Sequence, residues 1–97
     1  NRMEKEKIIQ VIFDAIDEIN ERYPEDQRLS KSVDTVLTGE SGELDSLGLV
    51  SFVIAVEERI QYDLGKTISL ADEIGNVDGP LRTIKTLVDH LINEFQV

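Results

Sequence analysis

The stretch GELDSLGLVSF, Gly42 to Phe52, sets an aspartate and a serine directly before a dense apolar run. Asp45 is a good helix N-cap, because a carboxylate there accepts from first-turn backbone N–H groups that lack an intrahelical acceptor. Leu44 and Leu49 stand at the N′ and N4 positions of a hydrophobic staple. A helix is predicted from Ser46 to about Ile60 or Tyr62, ending before Gly65. Ser46 is then its first residue, at the positive end of the macrodipole, where a phosphate is favourably placed. Two roles are open to it: the plain start of a helix, or a chemical attachment point.

That helix carries two apolar stripes where a surface helix ordinarily carries one. Leu49, Phe52, Val53, Val56 and Ile60 fit a core. Leu47, Val50 and Ile54 form the second stripe, on the side that carries Ser46 and continues to Glu57 and Glu58. Either the helix is buried all round, or the second stripe is a docking surface beside a reactive serine.

Upstream, residues 4–23 place Ile9, Ile12, Ile16, Ile19 and Tyr23 on one helical face, flanked by Ile8, Phe13 and Ala15. Pro24 is expected to stop this helix, since the residue before proline is pushed out of the helical region. Residues 24–44 hold no sustained period and contain one Pro, two Gly and three Ser, a long loop with Leu29, Val33, Val36 and Leu37 available to pin it. Downstream, TISLADE (Thr67–Glu73) reads as a short helix with Ser69 as N-cap and Asp72 at N3. A last helix follows the Thr83 N-cap, with Ile84, Leu87, Val88, Leu91, Ile92 and Phe95 on one face. The expected fold is all-α: a small four-helix bundle of three longer helices and one short one, with the long loop after helix one. Residues 3–97 make a single domain, Asn1 and Arg2 being set apart because they precede Met3.

Composition narrows the chemistry. The chain has 97 residues, 20 acidic against 10 basic, and a net charge of −10, so a phosphate-backbone partner is not expected. An acidic surface suits basic patches on partner proteins. There is no cysteine, which removes disulfides, thiol catalysis and thiolate metal sites together. Neither a membrane span nor a signal peptide is visible, and a cytoplasmic location is expected. With one histidine, His90, on the last helix and no G-x-S-x-G elbow, Ser46 is not read as a hydrolase nucleophile. Asn76, Asp78 and Gly79 match the middle of a calcium loop, but Ile74 and Lys85 fall where its end ligands belong, so the segment is a turn. The acids of helix one, Asp14, Asp17, Glu18 and Glu21, face outward as a solvated run, and no metal site is expected.

What remains is a helix-start serine beside an apolar stripe, and here the chain resembles the acyl carrier protein family. LDSLGLVSFVIAVEERI is similar to that family's signature, in which the serine of an Asp-Ser-Leu triplet opens the second helix. The resemblance covers nearly the whole chain: helix, long loop, DSL helix, short helix, final helix. It implies a bundle of acyl-carrier type and a 4′-phosphopantetheine arm on Ser46, flanked by Asp45 and transferred from coenzyme A by a phosphopantetheinyl transferase. The arm's thiol would hold acyl or aminoacyl groups as thioesters, loaded by a ligase and delivered to synthase or transferase partners. The resemblance implies a free-standing carrier in fatty acid, polyketide or specialised-metabolite biosynthesis, and not an enzyme; a monomer is expected, since nothing in the sequence points to a stable oligomer. Leu47, Val50, Ile54, Glu57 and Glu58 fall where the family's recognition helix meets its partners.

Two positions depart from the fatty-acid carriers. Gly48 and Ser51 stand where acids are common, and Gly48, at a cost of about 1 kcal/mol against Ala, suggests a first turn with some freedom. The Leu-Asp-Ser-Leu-Gly run is similar to D-alanyl carriers, which points to an aminoacyl cargo as one option. The Gly-Gly-x-Ser context of peptidyl carriers is absent. The rival expectation is an acidic helical interaction module that is never modified.

Overall fold

A computed structural model describes residues 2–96. Three α-helices appear in it: α1 (Arg2–Asn20), α2 (Ser46–Leu64) and α3 (Ile84–Phe95). Single 3₁₀ turns lie at Glu25–Gln27 and Ala71–Glu73, and no strand is present among the described residues. The chain is an all-helical bundle in which α1 packs against α2 most extensively and against α3 less so.

The face of α1 is set by its aliphatic spacing. Ile8, Val11, Ile12, Ala15, Ile16 and Ile19 are buried, so the stripe centres closer to Ile12 and Ala15 than the sequence pattern indicated. Ile9 and Phe13 sit at its margin, partly buried against the core. On the outer side Asp14 pairs with Arg59 of α2 (3.6 Å) and Asp17 with Lys31 of the loop (3.1 Å). The helix ends at Asn20, three residues before the expected Tyr23. Pro24 follows within four residues, as expected of a stop, and the Asn20 side chain clamps the connection beyond: its Nδ2 donates to the Leu29 carbonyl (2.9 Å) and its Oδ1 accepts from the Leu29 N–H (2.8 Å). Leu29 is thereby held in the core, 4% exposed.

The long connection is irregular but stitched on both sides. Toward α3, Leu37 N–H donates to the Arg82 carbonyl (2.8 Å), Ile84 N–H to Thr35 (3.0 Å) and Lys85 N–H to Val33 (2.9 Å). Toward α2, Glu43 N–H donates to Val36 (2.9 Å) and Leu44 N–H to Leu37 (3.1 Å). Val36 and Thr83 form an isolated antiparallel bridge. Residues 33–38 therefore tie the start of α3 to the approach to Ser46, with the Leu37 side chain fully buried beneath.

The expected short helix over Thr67–Glu73 is instead the single turn Ala71–Glu73, preceded by Leu70 rather than capped by Ser69. Ser69 is exposed, whereas Leu70 is fully buried. The Leu70 N–H is satisfied by the Glu57 carboxylate of α2, and the left-handed Gly75 (φ 94°) breaks the turn before a helix can propagate. Among the described residues the fold thus has three α-helices and two single 3₁₀ turns, with no fourth helix over Thr67–Glu73.

At α3 Thr83 caps as expected, in a reciprocal box with Thr86: Thr86 N–H donates to Thr83 Oγ1 and Thr83 N–H to Thr86 Oγ1, both at 3.0 Å. Ile84, Leu87, Val88 and Leu91 are buried. They meet Ile12, Ile16, Phe52, Val56 and Ile60 in one aliphatic core. Each such side chain contributes on the order of 1.5–3 kcal/mol through burial. Among the described residues no helix is long and apolar enough to cross a membrane.

Candidate functional site

The site is built at the first turn of α2. Asp45 is extended (φ −82°, ψ −178°), and its Oδ1 accepts from Gly48 N–H at 2.7 Å while its carbonyl accepts from Leu49 N–H at 2.9 Å. Ser46 is the first helical residue and is exposed. One orphan donor of the turn is thus taken by Asp45, and the Leu47 N–H remains without an intrahelical acceptor beside the serine. The helix closes at Gly65 in the left-handed region (φ 65°), a little beyond the expected end.

The approach to Asp45 has no room for variation. Gly42 N–H donates to the Gly39 carbonyl (3.1 Å), and a Cβ at 42 would lie 2.6 Å from the Thr38 backbone. That tight turn delivers Leu44 onto the core and Asp45 to its capping position. Gly48 also has a structural reason that sequence did not disclose. It is buried, and a Cβ there would stand 3.2 Å from the Tyr23 hydroxyl, 3.1 Å from Asp45 Oδ1 and 3.3 Å from Leu44. Glycine at this position accommodates close packing over the first turn, rather than marking a loose one. Tyr23, twenty-two residues before the N-cap on no shared helix, gave no signal of this contact in sequence.

On one side of Ser46 lies a cleft of about 260 Å³. Leu44, Leu49 and Leu81 give it apolar lining, and Glu73, Ile74 and Val77 contribute from the segment after α2. Its titratable members are Asp45 and Glu73; no histidine or lysine faces the serine there. His90 sits on α3, 3.9 Å from Glu94. No group of three or more His, Cys, Asp or Glu able to hold a metal ion occurs among the described residues. Asp78, in the calcium-like segment, pairs with Arg82 at 3.6 Å. The cleft beside Ser46 thus sets two carboxylates, and no imidazole or ammonium group, near an exposed hydroxyl.

On the other side, the second stripe is open to solvent: Leu47 is 77% exposed, Val50 40% and Ile54 49%. The core stripe of Leu49, Phe52, Val53, Val56 and Ile60 is buried as expected. The helix is therefore not buried all round. Glu58 is exposed at the far end of the stripe, and Ile54, Ser51 and Glu58 border a small cleft with Arg22 of the loop. Glu57 is different: it is half-buried, and its Oε2 accepts from the Leu70 N–H at 2.8 Å. The structure thus brings Asp45, Ser46, Leu47, Val50, Ile54, Glu57 and Glu58 together along α2, and adds Tyr23, Leu81 and the 73–77 segment to the neighbourhood.

No protein-family model, curated protein or solved structure matches this chain.

Proposed function

We propose that this chain is a carrier protein of acyl-carrier type, with Ser46 as the attachment point for a 4′-phosphopantetheine arm. The observation that carries this is the placing of one exposed hydroxyl, at the first residue of α2, between an apolar-floored cleft and an exposed apolar stripe. The residues fit such a group. A phosphodiester on Ser46 would sit at the helix N-terminus, beside the free Leu47 N–H and the positive end of the dipole. The Asp45 carboxylate, which would repel it, is turned onto the Gly48 N–H. The arm, when bound, supplies a thiol able to hold an acyl or aminoacyl group as a thioester.

The chain's own residues then have three tasks. Asp45 fixes the first turn and so the direction in which the Ser46 hydroxyl is offered. Leu47, Val50 and Ile54 present an apolar surface to the enzyme that modifies the serine or uses its cargo, with Glu58 supplying charge at the rim. Leu44, Leu49 and Leu81 line an apolar place beside the attachment point. Catalysis belongs to partners: a phosphopantetheinyl transferase, a loading ligase for an acyl or aminoacyl cargo, and downstream synthases or transferases. The experiment is transfer of phosphopantetheine from coenzyme A, read by intact mass on the parent and on Ser46→Ala.

A further inference from the structure

Glu57 lies eleven residues after Ser46. At 100° and 1.5 Å per residue it is only about 20° round α2 from the serine and about 16 Å along the axis. Both face the segment between α2 and α3. Glu57 Oε2 accepts from the Leu70 N–H at 2.8 Å in a part-buried setting. Leu70 is fully buried and immediately precedes the Ala71–Glu73 turn, beyond which Glu73, Ile74 and Val77 wall the cleft beside Ser46.

Among the described residues, no other hydrogen bond joins the strap Lys66–Gly79 to another element. Five are internal: Glu73 N–H to Leu70, Ile74 N–H to Ala71, Asn76 N–H to Glu73, Gly79 N–H to Asn76, and Asn76 Nδ2 to Glu73 Oε1; at the far end Arg82, just before α3, donates its N–H to the Gly79 carbonyl (3.3 Å) and pairs with Asp78. The strap also contains left-handed glycine at 75 and begins just after another at 65 (φ 94° and 65°). The strap is also held by packing, with Leu70 in the core, Ile68 against it and Lys66 over the Phe95 ring, and the Glu57 carboxylate supplies its hydrogen bond to the helix that carries the serine.

We infer that Glu57 is a latch: it fastens this strap, and a partner docking on the apolar stripe with a guanidinium or ammonium over Glu57 releases it. Charge complementarity defines that partner. The stripe of Leu47, Val50 and Ile54 is flanked by Glu57 on one side and Glu58 on the other, and α2 bears no cation before Arg59. Arg59 itself is turned to Asp14 and Asp63. A partner's cation makes a charge-assisted pair with the carboxylate that competes with the neutral Leu70 N–H. The freed N–H is then solvated as the strap lifts, and the far wall of the cleft opens. The consequence for cargo rests on the carrier proposal. The latch itself does not, and Glu57 acts in it as a positioning residue.

The test is amide hydrogen exchange in the unmodified chain, read by NMR at Leu70 and Ile74–Val77, with core amides such as Val56 as the control for global unfolding. The variants are Glu57→Gln, Glu57→Ala and Glu58→Ala, each with and without an amphipathic Leu/Arg peptide. Glu57→Ala should speed exchange at Leu70 about tenfold. Glu57→Gln, whose amide oxygen still accepts, should stay within about threefold of the parent, as should Glu58→Ala. The peptide should speed Leu70 exchange in the parent and not in Glu57→Gln. Unchanged Leu70 exchange in Glu57→Ala, or an equal effect from Glu58→Ala, overturns the latch. A peptide that fails to bind, leaves Leu70 unaltered, or acts equally on Glu57→Gln overturns its control by a partner. Failure of Ser46 to accept phosphopantetheine would alter none of these rates.

Discussion

The Tyr23 hydroxyl lies over Gly48 in the first turn of α2, so close that a Cβ there would stand 3.2 Å from it. The residue two positions after the candidate attachment serine is thus packed by the start of the connection that leaves α1. Gly48→Ala should reflect two opposing effects, a helix-propensity gain of about 1 kcal/mol and crowding against Tyr23, Leu44 and the Asp45 cap. With three neighbours inside 3.4 Å, crowding should win and stability should fall, by about 1 kcal/mol. Combining Gly48→Ala with Tyr23→Ala should lessen the crowding. A double-mutant cycle in urea measures the coupling, and additivity would count against the contact.

Gly42→Ala should be worse. A Cβ at 42 meets backbone rather than a flexible side-chain end, at 2.6 Å from Thr38. The turn that sets Leu44 and Asp45 must shift to admit it, at a cost of about 1–3 kcal/mol. The loss should appear as a lower urea midpoint at unchanged slope. Amide shifts should concentrate at Leu37, Glu43 and Leu44, whose backbone bonds flank the turn.

Asp45→Ala removes the acceptor of the Gly48 N–H and should destabilise the fold by about 0.5–2 kcal/mol, with Asp45→Asn recovering most of it. If Asp45 also steadies the serine for modification, Ala should slow phosphopantetheine transfer at temperatures where the variant is fully folded. Equal transfer rates for parent and Asp45→Ala would confine the residue to capping.

The two stripes of α2 should separate stability from docking. Phe52 is fully buried, and Phe52→Ala should cost about 3–5 kcal/mol. Leu47 is 77% exposed, and Leu47→Ala should change stability by no more than about 0.5 kcal/mol. Leu47→Ala and Ile54→Ala should nonetheless slow modification of Ser46, chiefly through KM. Thermal melts beside transfer kinetics check both halves.

Where period and capping chemistry act locally, the sequence was sufficient. Asp45, Thr83 and the aliphatic stripes of α2 and α3 placed two helices and their buried faces, because each signal involves residues within a few turns of one another. The misses came from distant contacts. Asn20, the last residue of α1, clamps Leu29 nine residues on, an amide bond pattern that no local propensity encodes. Leu70 owes its cap to Glu57 on another element, so the Ser69 pattern, locally sound, goes unused. Gly48 read as flexibility because Tyr23, its reason for being glycine, lies in another part of the chain. Ser46 was legible as a helix start with an unexplained hydroxyl; the cleft on one side of it required the 73–77 segment to be placed in space.

The central claim is that Ser46 takes up phosphopantetheine, and one measurement addresses it directly. The folded protein is incubated with coenzyme A, magnesium and a broad-specificity phosphopantetheinyl transferase, and its intact mass is recorded beside Ser46→Ala and a known carrier. The parent should gain one phosphopantetheinyl group and Ser46→Ala none. An unchanged parent mass, with the known carrier fully converted in the same tube, would contradict the claim and favour an unmodified acidic docking module.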